Sequence, residues 1–171
     1  LRCGVTVRAV RSDAVLLDDG AVPADLVVAG IGVTPDVELA RGGGLTVDNG
    51  VLVDEHLRSS APDVWAAGDV ANAYHPFAGR HVRVEHWANA LHQPVVAAQA
   101  MLGKDAVYDR LPYFFTDQYD LGMEYTGFGG GEVVVRGDER EFVAFWLRDG
   151  RLTAAMNVNV YKTASYTISR P

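Results

Sequence analysis

The residues of this chain best suited to chemistry lie in four short segments. In Val64-Trp65-Ala66-Ala67-Gly68-Asp69-Val70 an apolar run ends in a glycine and an acid. A glycine at a strand end lets a ligand approach the backbone, and a carboxylate directly after it can accept hydrogen bonds from sugar or polyol hydroxyls. By itself, strand–glycine–aspartate is also a common turn. Gly30-Ile31-Gly32 closes a second apolar run, Leu26-Val27-Val28-Ala29. Val84-Glu85-His86-Trp87-Ala88-Asn89-Ala90 leads into an alanine-rich stretch. A helix starting near Trp87 would turn free N–H groups and a partial positive charge toward an electron-rich ligand. The alternative there is a helix cap with a buried tryptophan. Pro112-Tyr113-Phe114-Phe115-Thr116-Asp117-Gln118-Tyr119-Asp120 reads, from composition alone, as an aromatic strand entering a core.

Other chemistries find less support. The five histidines, His56, His75, His81, His86 and His92, have no spacing that favours a metal. His81 and His86, on either side of an apparent strand, read as surface or capping residues. No Ser-His-Asp set and no paired carboxylates stand out. The single cysteine, Cys3, cannot form a C-x-x-C redox pair and reads as a buried small hydrophobe. With 22 acidic against 15 basic residues and no basic run, the net charge of −7 argues against a nucleic-acid surface or a polybasic membrane anchor. Small molecules or proteins are the expected partners. The longest apolar stretch, Leu26 to Val33, is too short to span a bilayer, and no charged-then-apolar leader opens the chain. A reducing cytoplasm is the expected compartment. The chain enters a strand pattern directly from Leu-Arg-Cys-Gly, without an initiator methionine, and reads as a fragment.

The elements that must position these segments follow from local pattern. Val5 to Val10 alternates apolar and polar and, with Ala14 to Leu17 and the Asp18-Asp19-Gly20 turn, predicts a hairpin. The continuous run Leu26 to Ala29 predicts a strand buried on both faces that stops at Gly30. Val37 to Ala40 predicts a short helical turn, and Gly42-Gly43-Gly44 a flexible connection. Val51 to Val53 and Val64 to Ala67 predict strands, the latter ending at Gly68. Trp87 to Leu102 predicts a helix stopped by Gly103, with a kink or a true start near Pro94, since an interior proline costs about 3 kcal/mol. Beyond Asp109, the runs Tyr113 to Phe115, Leu121 to Tyr125, Glu132 to Val135, Phe142 to Leu147 and Leu152 to Val160 predict a small antiparallel sheet. Its hairpin turns are expected at Gly127 to Gly131, Gly137-Asp138 and Asp149-Gly150.

Taken with their flanks, these segments carry a family resemblance. The Gly68-Asp69 segment resembles the second FAD-binding motif of the two-dinucleotide-domain flavoprotein reductases, the superfamily that includes glutathione reductase. Residues Asp25 to Asp36, with Gly30-x-Gly32-x-x-Pro35, resemble the end of that superfamily's NAD domain, in the same order. Glu85-x-Trp87 resembles a segment that packs on the isoalloxazine in oxygenase-coupled ferredoxin reductases. Pro112 to Tyr119 is similar to the Pro-x-Phe-Trp-Ser-Asp-Gln-Tyr signature that opens the last domain of ferredoxin, rubredoxin and putidaredoxin reductases, with Phe115 in place of tryptophan and Thr116 in place of serine.

The resemblance implies an α/β and α+β fold: residues 1–36 as the end of an NAD-binding domain, 37–108 as the carboxy-terminal part of an FAD-binding Rossmann-like domain, and 109–171 as a small antiparallel-sheet α+β domain. It implies an enzyme that moves a hydride from NAD(P)H to FAD and then single electrons to a ferredoxin-type iron–sulfur protein. The implied cofactor residues are Gly68, Asp69 (on the ribitol) and Val70, then Glu85, His86, Trp87 and Ala88, then Phe115, and Gly30, Ile31 and Gly32 at the nicotinamide, with no catalytic side chain and no metal. Ferredoxins are typically acidic, so docking needs a local basic patch, for which Arg80, Arg83, Arg148 and Arg151 are candidates. The alternatives are a rubredoxin reductase or NADH oxidase, or a non-catalytic folding or homodimerisation module. The superfamily's Gly-x-Gly-x-x-Gly motifs have no counterpart here. The isolated chain is therefore expected to hold FAD poorly. Tyr161 to Pro171 reads as extended or disordered, where the family usually continues into a helix.

Overall fold

The computed structural model describes residues 1–160, and the chain divides into two compact units, Leu1–Thr34 and Pro35–Pro171. The expectation for Tyr161 to Pro171 lies outside the described residues.

The first unit is a three-stranded antiparallel sheet, β1 (Val7–Val10), β2 (Ala14–Leu17) and β3 (Gly20–Pro23), in that order. The Arg11 N–H donates to the Ala14 carbonyl at 2.8 Å to close the first turn. Leu17 and Gly20 pair across the second, at Asp18-Asp19. The hairpin is therefore present and carries a third strand. The strand expected over Leu26 to Ala29 does not form. Leu26 and Val28 are 82% and 87% exposed, and Gly30, Ile31 and Gly32 continue as unpaired chain. An apolar run becomes a doubly covered strand only where ladder partners lie beside it, and this one has none among the described residues. Cys3, expected to be buried, is exposed for the same reason: it precedes β1 and packs under nothing.

The second unit opens with a short helix, α1 (Glu38–Gly42), where a helical turn was expected over Val37 to Ala40. It runs further and takes in Gly42, while Gly43 and Gly44 close it by hydrogen bonds to the Leu39 and Arg41 carbonyls rather than forming a free connection. A mixed sheet follows, ordered β4 (Val47–Asp48), β5 (Gly50–Val53), β6 (Ala71–His75) and β7 (Arg80–Arg83). β5 and β6 run parallel and the outer pairs antiparallel. The strand expected over Val64 to Ala67 is reduced to one bridge, Trp65 with Arg58, and the strand instead follows Gly68-Asp69. Ala71 to His75 wins because its backbone reaches the interior and pairs on both sides, whereas the backbone of residues 64 and 66 is occupied by the loop, through Ser59 N–H to Val64 O at 2.9 Å and Ala66 N–H to Leu57 O at 3.2 Å. No strand thus ends in either glycine. Val51, Val53, Leu57, Ala71, Ala73, Ala97 and Tyr108 form the core.

Helix α2 (Trp87–Met101) starts at Trp87 and runs on through Pro94, so the alternative of a true start near that proline is not realised. Pro94 and Ala90, whose carbonyl loses its N–H partner to the proline, both lie on the exposed face, where water can satisfy that carbonyl. Asn89, Gln93, Ala97 and Ala100 form the buried face.

The last strands are β8 (Tyr113–Gln118), β9 (Leu121–Gly127), β10 (Glu132–Gly137), β11 (Phe142–Arg148) and β12 (Arg151–Val158), an antiparallel sheet ordered β10-β11-β12-β9-β8. Asp149 and Gly150 close the β11–β12 hairpin, both with positive φ (51° and 72°), the geometry that suits two-residue turns between twisted strands. Gly127 to Gly131 does not make a hairpin. It carries the chain from β9 to the far edge of the sheet, and β9 pairs instead with β8 and β12. The β8–β9 turn lies at Tyr119-Asp120, with Tyr119 at φ 57°.

Candidate functional site

The Gly68-Asp69 segment is a single 3₁₀ turn, Gly68–Val70, wedged between extended chain and β6. Ala67 is extended, at φ −146° and ψ 157°. Gly68 then turns left-handed at φ 80°, a conformation most side chains disfavour by about 1–2 kcal/mol. Gly68 is buried and its N–H donates to Oε1 of Gln93 at 2.8 Å. Asp69 stands exposed, and its carboxylate makes no hydrogen bond or ion pair among the described residues. Its backbone carbonyl accepts from Nη1 of Arg83 at 3.1 Å. Val70 is half-buried and packs on the core.

The second segment enters α2 beside this turn, which packs on the helix. His86 is the N-cap, in extended conformation and without a side-chain cap bond, and no acid occupies the first turn. The first N–H groups of α2 are thus left to external partners, with the positive end of the helix dipole behind them. Trp87 is 71% exposed and Ala88 half-buried. The carboxylate of Glu85 is taken by Arg83, which also donates from Nε to Oδ1 of Asn49 at 3.2 Å. Arg83, nearly buried in these bonds, therefore leaves the basic patch proposed from sequence. Arg148 and Arg151 remain exposed and paired across the Asp149-Gly150 turn.

The His86 ring packs on Phe114, with centroids 4.8 Å apart, and its Nδ1 is buried without a hydrogen-bond partner among the described residues. Burial holds its pKa below the ordinary 6.5, against the opposing pull of Asp69 and then Glu85. As pH falls through the unfolded-chain value, the unfolded chain therefore takes up a proton that the folded chain resists. Full stability is present above that value and is lost toward the lower folded-state pKa. Replacing His86 by Gln is expected to flatten the fall in melting temperature between about pH 6.5 and pH 5. An unchanged slope would show that His86 is not the group responsible.

Strand alternation separates the two phenylalanines of β8. Phe114 faces His86 and stacks on Tyr125 at 5.0 Å. Phe115 points to the other side, 51% exposed and tilted against Tyr113. The Tyr113 hydroxyl donates to Glu124 at 2.7 Å, a bond that, ahead of burial and nearby acids, pushes its pKa up to about 12. Gly30, Ile31 and Gly32 belong to the first unit, where Ile31 is 94% exposed and Gly32 has φ 90°.

Three residues given no role in the motif reading, Asn89, Gln93 and Tyr108, join this arrangement. Asn89 donates from Nδ2 to the Val84 carbonyl at 3.0 Å, and its Oδ1 accepts from the Tyr108 hydroxyl at 2.9 Å. Gln93 holds Gly68. The signal for both amides was a polar pair spaced i, i+4 on the otherwise small and apolar inner face of a helix. Among the described residues no group of three or more His, Cys, Asp or Glu could hold a metal, and no helix is long and apolar enough to cross a membrane.

A mixed sheet whose glycine–aspartate turn abuts the amino end of a helix, followed by an antiparallel sheet, defines a reductase-type α/β and α+β fold. Residues 1–93 match the family described as pyridine nucleotide-disulphide oxidoreductase, and residues 113–170 match the reductase C-terminal family. The chain belongs to the pyridine nucleotide-disulphide oxidoreductase family. It is 47% identical over 163 residues to the ferredoxin–NAD(+) reductase component of the anthranilate 1,2-dioxygenase system of Burkholderia cepacia, covering 90% of this chain and 40% of that protein. It is 40% identical over 151 residues to putidaredoxin reductase of Pseudomonas putida, covering 85% of this chain and 36% of that protein. Among solved structures, the covalent putidaredoxin reductase–putidaredoxin complex superimposes with a TM-score of 0.86 at 38% identity, over 92% of this chain and 41% of that one. A ferredoxin reductase from Rhodopseudomonas palustris does so with a TM-score of 0.84 at 37% identity, over 91% and 41%. The chain thus spans well under half the length of each of these relatives.

Proposed function

We propose that this chain serves in an FAD-dependent reductase that takes a hydride from NAD(P)H and delivers single electrons to a ferredoxin-type iron–sulfur protein. The observation that carries this reading is the pairing of an exposed Asp69 carboxylate, without a hydrogen bond or ion pair among the described residues, with the uncapped amino end of α2, which the Gly68–Val70 turn abuts. These residues fit FAD. The carboxylate can accept hydrogen bonds from ribitol hydroxyls, the left-handed Gly68 presents no side chain to the approaching ligand, and the free N–H groups before Asn89 suit an electron-rich ring edge. When bound, the flavin supplies the hydride and electron chemistry. The chain's own part is orientation: Asp69 binds, α2 favours negative charge, and Trp87 and Phe115 offer exposed aromatic surface. The relatives named for ferredoxin and putidaredoxin support an iron–sulfur acceptor, and of the four arginines named from sequence Arg80, Arg148 and Arg151 remain candidates for docking an acidic one. We place the protein in the cytoplasm, with homodimerisation through the last sheet as a further element of the reading.

The first test is absorption of the purified protein after incubation with FAD and desalting, on the 171-residue chain and on the product of its complete reading frame. The longer product is expected to keep flavin bands and to reduce a ferredoxin with NADH or NADPH. Asp69→Ala is expected to weaken FAD binding about tenfold to a hundredfold, the equivalent of losing charge-assisted bonds of about 1.5–3 kcal/mol. A colourless complete product that never takes up FAD would sink the proposal.

A further inference from the structure

We infer that Gln93 is a positioning residue for this cofactor site, tying the Gly68–Asp69 turn to α2 so that the Asp69 carboxylate and the helix amino end keep one fixed spacing. The inference rests on the flavin reading above. Gln93 is 2% exposed and, with Leu57, one of the two largest fully buried side chains among the described residues. Burying an amide is unfavourable unless it is hydrogen-bonded, and a Leu or Met of similar volume would cover the same core without that cost. Its continuation on the inner face, Ala97 and Ala100, is apolar.

What the amide gains is its bond to the turn. Gly68 N–H donates to Gln93 Oε1 at 2.8 Å, and Gly68 is the residue whose left-handed φ of 80° sets the direction in which Asp69 leaves the chain. One turn earlier on the same face, Asn89 holds the Val84 carbonyl at 3.0 Å, directly before Glu85 and His86. Two amides spaced i, i+4 on one helix thus anchor both segments that would face the cofactor. Asp69 is near enough to act electrostatically on His86 at the helix start, so a ligand reaching from the carboxylate to the helix N–H groups meets a distance set by Gln93. Such rigidity before binding raises affinity by removing an ordering cost.

The test uses the product of the complete reading frame, stripped of flavin, with affinity read from quenching of FAD fluorescence. Gln93→Met keeps the volume and loses the acceptor, and it is expected to weaken FAD binding about tenfold, the equivalent of about 1.4 kcal/mol. Gln93→Glu keeps an acceptor oxygen at the same reach and is expected to recover most of that affinity, even though its buried charge lowers the melting temperature of the apoprotein at least as much. Should Gln93→Met not fold, Gln93→Asn, one methylene too short to reach Gly68, carries the same expectation. Unchanged affinity in the shortened or apolar variant, or Gln93→Glu as weak as Gln93→Met, overturns the positioning role and leaves the flavin reading intact. Failure of the unsubstituted protein to bind FAD overturns both.

Discussion

Gly127→Ala is expected to destabilise the second unit by about 3–5 kcal/mol, combining about 1–2 kcal/mol for a left-handed side chain with the larger cost of a backbone collision. Gly127 has φ 104°, and a methyl group placed there would lie 2.3 Å from the Thr153 carbonyl oxygen and 2.7 Å from the Ala154 Cα. Neither atom can yield cheaply. The Thr153 carbonyl accepts the Phe128 N–H at 2.8 Å, and Gly127 is the partner of Ala154 in the β9–β12 ladder. Relief would require separating β9 from β12, the middle strand of the last sheet. Because a domain of this size has a net stability of about 5–15 kcal/mol, a large share of it is at stake. The measurement is the midpoint of urea unfolding, and a midpoint within experimental error of the parent would contradict the packing described.

The second large effect is expected at Leu57. This side chain is 0% exposed at the centre of the core, yet its backbone has φ 64°. The conformation is imposed by the tight loop between the parallel strands, where Leu57 N–H donates to the Asp54 carbonyl at 3.0 Å and its own carbonyl accepts from Ala66 N–H at 3.2 Å. Packing therefore overrides an unfavourable torsion. Leu57→Ala keeps the torsion and leaves a cavity, with an expected loss of about 2–5 kcal/mol. Leu57→Gly loses one further carbon but is released from the left-handed strain, so it is expected to melt close to Leu57→Ala rather than far below it. A glycine variant much less stable than the alanine variant would show that the torsion carries no strain.

Local signals in the sequence were reliable wherever a short segment decides its own conformation. The Asp149-Gly150 turn, the start of α2 at Trp87 and the short α1 helix follow from turn chemistry and composition. Signals failed where the outcome depends on distant chain. Gly127 to Gly131 has the composition of a hairpin turn, but β9 finds its partners in β8 and β12, so the same glycines make a crossover. Val64 to Ala67 is more apolar than Ala71 to His75, yet only the second meets a strand on each side. Of the proposed site, the motif residues Gly68-Asp69 and Glu85-His86-Trp87 were named from sequence, some exposed and some, like Gly68, buried. Its buried supports were not, because Asn89 and Gln93 act through backbone atoms that a linear reading does not bring near them. The same limit hid Phe114, whose contact with His86 depends on which face of β8 turns toward the helix.

The order β10-β11-β12-β9-β8 also bears on how the last sheet assembles. Two pieces can form from neighbouring chain alone: the β8–β9 hairpin, and the β10-β11-β12 meander. Such local pairings form quickly, whereas contacts distant in sequence must first overcome the entropy of closing the intervening loop. The β9–β12 ladder joins the two pieces and encloses β10 and β11 within its loop. It is therefore expected to close last. Until it closes, β9 and β12 each present an open edge to other chains, so newly made protein is most vulnerable to misassociation at that seam.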